Sequence, residues 1–302
     1  MNSIEDILDK DKIKGIDGKV YNCLKESESS QFYSELFSES FEKRNRPELF
    51  EQVKASHSQA GTAYRIMDKI VGKLRKMLPA EASVIEIGGG VHQQRAGNAY
   101  QYFPNYYPLD ISDSSINRYV STFDRPGVVA DATELPFKSD SIDCIFTHTF
   151  LEHPIQPEEV VSEIARVIKP GGIVVHNDAW FCRWWQRHGV VGLKRFGNMS
   201  TSEKMIAIGA KITEFPPLRI PPIVIGRFFR ETFGGKARTL RYSKLNPNYE
   251  LHLGCDEDAA SRIDPIDVVR FYEANGFSLV SPLSTKQRLF YPNKYVMLKK
   301  DL

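Results

Sequence analysis

VIEIGGG, residues 84 to 90, is the stretch that decides the fold of this 302-residue chain. The apolar run from Val84 to Ile87 is typical of a buried strand, and three glycines follow it directly. Glycine lets the backbone turn sharply and lets a ligand approach the chain closely. The stretch therefore predicts a strand that ends in a ligand-binding turn. Turns of this kind serve dinucleotides, phosphates and other nucleoside cofactors alike.

The composition is that of an ordinary soluble globular protein. The net charge of +2 gives no reason to expect a nucleic-acid partner. No apolar run approaches the length of a transmembrane helix, and the N-terminus has no signal-peptide pattern. The four cysteines form no CxxC pair, which argues against a zinc site and a disulfide framework. We therefore expect a cytoplasmic protein with reduced thiols.

Around the glycine turn, predicted helices and strands alternate. Apolar residues at helical spacing predict a helix over 63–78, and Pro157 opens a further helix at its first turn. Short apolar stretches predict strands at 106–111, 127–130, 141–147 and 173–176. Such alternation is typical of a parallel sheet that is covered by helices on both faces.

The two ends of the chain are less regular. Residues 1 to about 30 predict a loose arm or a weakly attached helix, and residues 30–54 a helix that Pro47 interrupts. The alternation lapses between about 179 and 262. It resumes at Asp264-Pro265, an N-cap and first-turn pair, with a helix that ends at Gly276. Two final strands are predicted as an edge hairpin, over 277–280 and 287–298.

Five motifs in order carry a family resemblance. They are Val84 to Gly90, PLDIS at 108–112, VADATELPF at 129–137, SIDCIFTHTFLEH at 141–153 and EIARVIKPGGIV at 163–174. In these motifs the chain resembles the class I S-adenosylmethionine-dependent methyltransferases, in particular the group of ubiquinone-biosynthesis and sterol enzymes. The resemblance covers about 84 to 178, and residues 264–298 also fit it.

The resemblance implies the fold and its division. We expect a Rossmann-like α/β fold with a seven-stranded sheet, six strands parallel and one antiparallel, and helices on both faces. Residues 1–79 are expected to form an N-terminal arm and helices. Residues 80–302 are expected to form the methyltransferase domain, with an insertion at about 181–262.

The resemblance also implies S-adenosylmethionine as cofactor and S-adenosylhomocysteine as product. The backbone around Gly88 to Gly90 would border the methionine part. Asp110 would accept hydrogen bonds from both ribose hydroxyls. Asp131 and the Ala132 backbone would read the adenine edge, with Leu135 or Phe146 beside the ring. The full predicted cofactor-binding set is Glu86, Gly88, Gly89, Gly90, Asp110, Ile111, Asp131, Ala132 and Thr147.

The implied reaction is an in-line displacement at a sulfonium methyl group, which depends on positioning and needs no metal. A base is needed if the acceptor is a hydroxyl or a protonated amine, and histidine suits this role. The predicted catalytic residues are His148 and His176, with Asp178 orienting or replacing the base. His153 is expected to shape the site, as its Leu-Glu-His segment commonly does in the family.

The first motif departs from the family pattern. His92 follows Gly90-Val91 where the commonest form has a third glycine, so the helix start is bulkier. Its side chain would face the cofactor carboxylate or the substrate. The segment from Gln93 to Tyr107 is also unusually polar and aromatic.

The insertion is strongly basic. Residues 181–250 hold 13 Lys or Arg against four Glu. Aromatic residues are interleaved with them, among them Trp184, Trp185, Phe196, Phe215, Phe228, Phe229 and Phe233. One interpretation is a cap that binds an anionic or lipid-like acceptor. The other is a solvated face that balances an acidic body. The segment from Pro216 to Ile225 is too proline-broken to span a bilayer, but it is compatible with resting on a membrane surface.

The sequence thus predicts methyl transfer to an acceptor oxygen of a sugar, glycan precursor or specialised metabolite. Methylation of nitrogen or carbon is an alternative, as is a catalytically inactive regulatory protein that binds the cofactor. A nicotinamide-dependent oxidoreductase would share the fold, but it predicts a more complete G-x-G-x-x-G motif. The oligomeric state is open.

Overall fold

The computed structural model describes residues 3–24, 62–89, 99–182, 196–247, 258–290 and 295–302. The chain divides into two units. The first takes in Met1–Phe150, Glu159–His176 and Lys299–Leu302, and the second Leu151–Glu158 and Asn177–Leu298. The predicted helix over 30–54 lies outside the described residues. The predicted domain boundaries, at residue 79 and at 181–262, stay predictions.

Helices and strands alternate up to residue 177. In chain order they are α1 (Ile4–Ile7), β1 (Gly15–Asp17), β2 (Val20–Asn22), α2 (Thr62–Met77), β3 (Val84–Ile87), α3 (Ala99–Tyr102), β4 (Tyr106–Asp110), α4 (Asp113–Phe123), β5 (Gly127–Val129), β6 (Ile142–His148), α5 (Pro157–Val167) and β7 (Ile168–Asn177). The predicted helix at 63–78 and the predicted strands at 106–111, 127–130 and 141–147 are confirmed within one or two residues.

The strands of the first unit form a sheet in the order β1-β2-β5-β4-β3-β6-β7. β3 is parallel to both β4 and β6, β4 to β5, and β2 to β5, whereas β1 pairs with β2 in the antiparallel sense. β3 lies at the centre, and all four of its residues are buried. The stretch that predicts the fold is therefore the middle of the sheet.

The N-terminal segment is not the loose arm that the sequence predicts. Residues 15–22 form a β-hairpin whose second strand pairs with β5, with Val20 opposite Gly127. Leu8 is fully buried and forms a bridge with Phe137. Strands of three residues are too short to show a hydrophobic period, which is why the sequence pattern missed them.

β7 begins earlier than predicted. The sequence predicts a strand over 173–176, but α5 ends at Val167 and the strand starts at Ile168, before Pro170 and Gly171. Gly171 takes a positive φ of +78° inside this strand. Proline and glycine are tolerated near the start of a strand, and here they mark an irregular entry rather than a loop.

The second unit holds the remaining elements. They are α6 (Thr201–Glu214), α7 (Pro216–Phe233), β8 (Tyr242–Lys244), β9 (Ser261–Ile263), α8 (Pro265–Ala274), β10 (Phe277–Leu279), α9 (Thr285–Leu289) and β11 (Val296–Lys300), the strand in which the chain returns to the first unit. β8 and β9 form an antiparallel ladder. β10 and β11 are neighbours, and the N–H of Val280 donates to the Met297 carbonyl at 3.0 Å. Of the helices that the structure describes, none is long and apolar enough to cross a bilayer.

The predicted start of α8 is confirmed, because Asp264 caps the helix by accepting the N–H of Ile266 at 3.0 Å. The predicted strand over 287–298 is wrong in its first part, where α9 lies instead. Ser284 and Gln287 form a capping box that starts α9. β11 begins at Val296. Among the described residues, β1 to β7 together with β10 and β11 make nine sheet strands, against the predicted seven.

Candidate functional site

Four parallel strands of the first unit end at one side of the sheet, which we call the carboxyl edge (residues 86–89, 110–112, 130–133 and 147–150). Ile87 in β3 lies opposite both Leu109 in β4 and Thr147 in β6. Ligands of open α/β sheets bind beyond the carboxyl ends of the strands. The carboxyl edge is therefore the candidate site.

The glycine turn is fastened to β4. The N–H groups of Gly88 and Gly89 donate to the Leu109 carbonyl, at 2.8 and 3.3 Å. Gly88 has a φ of +74°, and a Cβ atom there would lie 2.7 Å from the Phe150 ring. At Gly89 a Cβ atom would lie 3.0 Å from Pro108. Both glycines are thus required by the packing of the protein itself. Gly90 and His92 lie outside the described residues.

Glu86 is buried in the sheet, immediately before the turn. The hydroxyl of Tyr106, on the neighbouring strand β4, donates a hydrogen bond to its carboxyl group. Burial raises the pKa of Glu86 to about 8; the Tyr106 bond lowers it and the nearby Asp110 raises it further. Glu86 therefore holds a proton at neutral pH and ties β3 to β4 beneath the edge. Its predicted contact with the cofactor stays a prediction.

Asp110 ends β4 and is 9% exposed. Its Oδ1 atom accepts the backbone N–H of Ser112 at 2.8 Å, which fixes the carboxylate at the edge. The helix that follows is capped by Ser112, whose hydroxyl accepts the N–H of Ser115. N-capping of α4 thus falls to Ser112. Ile111, between them, is half-buried.

Asp131 follows β5 and caps a short 3-10 turn over Ala132–Glu134. Its Oδ1 atom accepts both the N–H and the hydroxyl of Thr133, at 2.9 and 2.8 Å. The side chain is half-buried, and Ala132 is buried beside it. These bonds give Asp131 a structural role in the turn, and its predicted contact with adenine stays a prediction.

The end of β6 is strained. Thr149 takes a φ of +52°, which is rare for a β-branched residue, and it joins the buried His148 to Phe150. The turn sets Phe150 against Gly88. Strain of this kind costs about 1–3 kcal/mol and is concentrated at functional sites. Thr149, Phe150 and Tyr106 were not predicted as site residues, because backbone strain and contacts across strands leave no mark in a single sequence.

The structure brings Thr147 and His176 together. The Thr147 hydroxyl lies 2.9 Å from Nδ1 of His176, whose side chain is fully buried. His148 is 8% exposed. Asp178 belongs to the second unit, where its Oδ1 atom accepts the N–H of Leu151 at 3.3 Å. Of the two predicted histidines, His148 is the more accessible.

In the second unit, His153 lies between two carboxylates. Its Nδ1 atom is 3.0 Å from Oδ2 of Asp258, and its Nε2 atom is 3.7 Å from Oε1 of Glu152. The Glu152 carbonyl accepts the N–H groups of Ala260 and Ser261, both at 2.9 Å. These contacts are consistent with the expected shaping role of the Leu-Glu-His segment.

Several arginines of the basic insertion are paired within the second unit. Arg227 and Arg230 both contact Asp264, at 2.9 and 2.6 Å, and Arg219 contacts Glu214 at 2.6 Å. Asp264 lies outside the window 181–250 in which the charge was counted, so the count overstates the positive charge that a ligand would meet. Trp184 and Trp185 lie outside the described residues.

The first unit thus defines a class of protein. It is an α/β protein with a mostly parallel, Rossmann-like sheet, whose carboxyl edge combines a close-packed glycine turn with acidic residues after the next two strands. This arrangement is typical of proteins that bind a nucleoside cofactor.

Comparisons with known proteins find similarity to methyltransferases. Residues 85–176 match the family model described as a methyltransferase domain. The malonyl-[acyl-carrier protein] O-methyltransferase of Marinomonas sp. (strain MWYL1) is 31% identical over 128 residues, which are 40% of this chain and 47% of that protein. The demethylmenaquinone methyltransferase of Clavibacter sepedonicus is 27% identical over 135 residues, which are 42% of this chain and 55% of the relative.

The chain therefore spans about half the length of these curated relatives. Among solved structures, the YcgJ protein from Bacillus subtilis aligns over 79% of this chain and 99% of its own, with 13% identity and a TM-score of 0.45.

Residues 85–176 thus match a methyltransferase domain, and this match and the curated relatives support a class I methyltransferase, whose cofactor is S-adenosylmethionine. The predicted resemblance and the predicted α/β fold are confirmed.

Proposed function

We propose that this chain transfers a methyl group from S-adenosylmethionine to an oxygen atom of a small or medium-sized acceptor, such as a sugar, a glycan precursor or a specialised metabolite. One observation carries the proposal. The glycine turn, Asp110, Asp131 and His148 lie at the ends of four adjacent parallel strands, at one edge of the sheet.

The residues of the carboxyl edge fit the cofactor chemically. The N–H of Ser112 holds the Asp110 carboxylate in place. A carboxylate that is fixed in this way has two acceptor oxygens and suits a pair of ribose hydroxyls. Gly88 and Gly89 carry no side chain at the turn beside which the methionine part would pass. Asp131, Ala132 and Ile111 would border the adenosine, with Thr147 at the end of the next strand. When bound, S-adenosylmethionine supplies an electrophilic methyl group.

The remaining task of the protein is to orient the acceptor and take its proton. His148 is our preferred base, because it ends β6 beside the strained turn and retains some exposure. His176 is fully buried and lies against Thr147, which favours a supporting part. Asp178 is retained as a group that orients or replaces the base.

Two points support oxygen as the atom that receives the methyl group. A curated relative is an O-methyltransferase, and a base is required for a hydroxyl acceptor but not for every nitrogen or carbon acceptor. Methylation of nitrogen or carbon is the second candidate. A catalytically inactive protein that binds the cofactor is the third, and the family match disfavours nicotinamide chemistry.

Incubation of the full chain with S-adenosylmethionine and acceptors that carry hydroxyl, amine or activated-carbon groups tests the proposal. We expect release of S-adenosylhomocysteine with hydroxyl acceptors. His148→Gln should lower turnover about a hundredfold, the usual size of a general-base contribution, without changing cofactor affinity. Turnover with amines alone would contradict oxygen transfer. Cofactor binding without any turnover would favour the inactive protein, and binding of NAD in its place would exclude methyl transfer.

A further inference from the structure

Helices α6 and α7 of the second unit expose an unusual number of large apolar side chains. The two helices are joined at Phe215 and pack against each other; we call them the apolar hairpin (residues 201–233). Its exposed apolar residues are Met205, Ile208, Ile212, Phe215, Leu218, Ile220, Ile225, Phe228, Phe229 and Phe233, with exposures from 43% to 73%. Soluble monomers rarely expose an apolar surface of this extent without a function for it.

The exposed residues follow the helical period. In α6, Met205, Ile208 and Ile212 are separated by three and four positions, which places them on one side of the helix. In α7, Leu218, Ile225 and Phe229 are separated by seven and four positions. The Phe229 ring lies 5.8 Å from that of Phe228 and 6.0 Å from that of Phe233. Each helix therefore presents a continuous apolar stripe.

The packing of α7 is the reverse of that in an ordinary surface helix. Its buried residue is Arg227, 2% exposed, while Ile220, Ile225 and its three phenylalanines are exposed. The Arg227 guanidinium contacts Asp264 at 2.9 Å and donates to the Leu289 carbonyl at 3.0 Å. Arg230 adds contacts with Asp264 and with Asp267, at 2.6 and 2.9 Å. Ion pairs thus hold α7 to its unit, and its apolar side is left for another surface.

A basic segment follows the hairpin directly. Residues 234–247 contain Lys236, Arg238, Arg241 and Lys244 and no acidic residue. All four cationic side chains are exposed. Lys211, at the other end of the hairpin, is exposed as well. The apolar stripes are therefore bordered by positive charge.

We propose that the apolar hairpin docks on the surface of an anionic lipid bilayer. Its stripes would enter the boundary between headgroups and acyl chains, and the basic segment would lie against anionic headgroups. An amphipathic helix that lies in the interface combines these two features, apolar burial and electrostatic attraction. Charge complementarity favours this occupant over a second copy of the chain, because self-association through the hairpin would bring two identical basic segments together.

The inference is independent of the methyl acceptor and of the cofactor. Arg227 and Arg230 anchor α7, so the docking surface is built into the fold rather than formed on contact. The exposed residues that would enter the bilayer are distinct from the carboxyl edge of the first unit.

Co-sedimentation of the full chain with vesicles tests the proposal. One set of vesicles is phosphatidylcholine alone, and the other is an equimolar mixture with phosphatidylglycerol. We expect binding to the mixed vesicles and much weaker binding to phosphatidylcholine. The double substitution Ile225→Ser with Phe229→Ser should lower the affinity for mixed vesicles by about tenfold or more, since it removes two inserted side chains.

Ile16→Ser is the matched control, because Ile16 is 56% exposed against 54% for Ile225 and lies on β1 of the first unit. It should bind as the wild type does. Lys236→Glu with Arg238→Glu should abolish the preference for anionic vesicles. Circular dichroism verifies that each variant is folded.

Two outcomes would overturn the proposal. One is vesicle binding that the Ile225 and Phe229 substitutions leave unchanged. The other is no vesicle binding at all, together with a dimer in sedimentation velocity that the same substitutions convert to a monomer, which would assign the hairpin to a second copy.

Discussion

Glu86 is a carboxyl group buried at the centre of a parallel sheet, where the Tyr106 hydroxyl donates to it. Its pKa of about 8, against an ordinary 4.5, means that the folded protein binds a proton there which the unfolded chain would release at neutral pH. The stabilisation that this proton provides is complete below about pH 4.5. It is lost progressively as the pH rises to about 8.

We therefore predict that Glu86→Gln removes part of the pH dependence of stability. The amide keeps an acceptor for Tyr106 but has no ionised form to bury. Between pH 5 and 8, the wild type should lose up to about 1.4 kcal/mol of unfolding free energy per pH unit from this residue, and the variant should lose less. Urea denaturation at four pH values within this range measures the slope.

Glu134→Gln provides the control, because the Glu134 side chain is 56% exposed. It should leave the slope of the wild type intact. An identical slope in the Glu86→Gln variant would mean that Glu86 is ionised in the folded protein, contrary to the burial argument.

Predictions for single residues succeeded where the backbone conformation at a position admits only one residue type. Gly88 is an example, since its positive φ and its contact with Phe150 exclude a side chain. Asp131 shows the limit. Its bonds to Thr133 belong to a local turn, and the sequence pattern alone does not distinguish such a turn from a ligand contact.

At the scale of elements, α7 is held to the second unit by a buried ion pair rather than by a buried apolar face. Arg227 is almost fully buried against Asp264, which also caps α8. Removing Arg227 takes away the more buried of the two arginines that compensate the Asp264 carboxylate, the other being Arg230, and loss of a partner from a buried pair is strongly destabilising. We predict that Arg227→Met lowers the unfolding free energy by about 3 kcal/mol.

Arg219→Met is the matched comparison within the same helix. Its pair with Glu214 is about one-third exposed on both sides, so its loss should cost less than about 1 kcal/mol. Thermal and urea unfolding of both variants measures the difference. Equal effects would show that Arg227 is not held as a buried pair.

The elements that the sequence predicted well are those with a strong period or a clear stop. α2 and α8 are examples, and β3 to β6 follow from their apolar runs. The hairpin of β1 and β2 escaped prediction because each strand has three residues. No helix was predicted at α7, which runs through Pro221 and Pro222 as one helix whose prolines are exposed.

At the scale of the whole molecule, the order of strand ends along the sequence predicted which residues share one edge of the sheet. Parallel strands bring residues 88, 110, 131 and 148 to one edge although up to 60 positions separate them. The insertion could not be interpreted in the same way. Its counter-charges at Asp264 and Asp267 are distant in sequence, so its basic character is partly internal.

The most direct test of the account is calorimetric titration of S-adenosylmethionine into the full chain and its Asp110 variants. We predict that Asp110→Ala weakens binding about a hundredfold, since two charge-assisted hydrogen bonds are lost. Asp110→Asn, which can still accept the Ser112 N–H, should also bind weakly while remaining folded. Asp113→Ala, an exposed acid in the first turn of α4, should bind as the wild type does. Affinities of both Asp110 variants within twofold of the wild type would contradict the assignment of the carboxyl edge as the cofactor site.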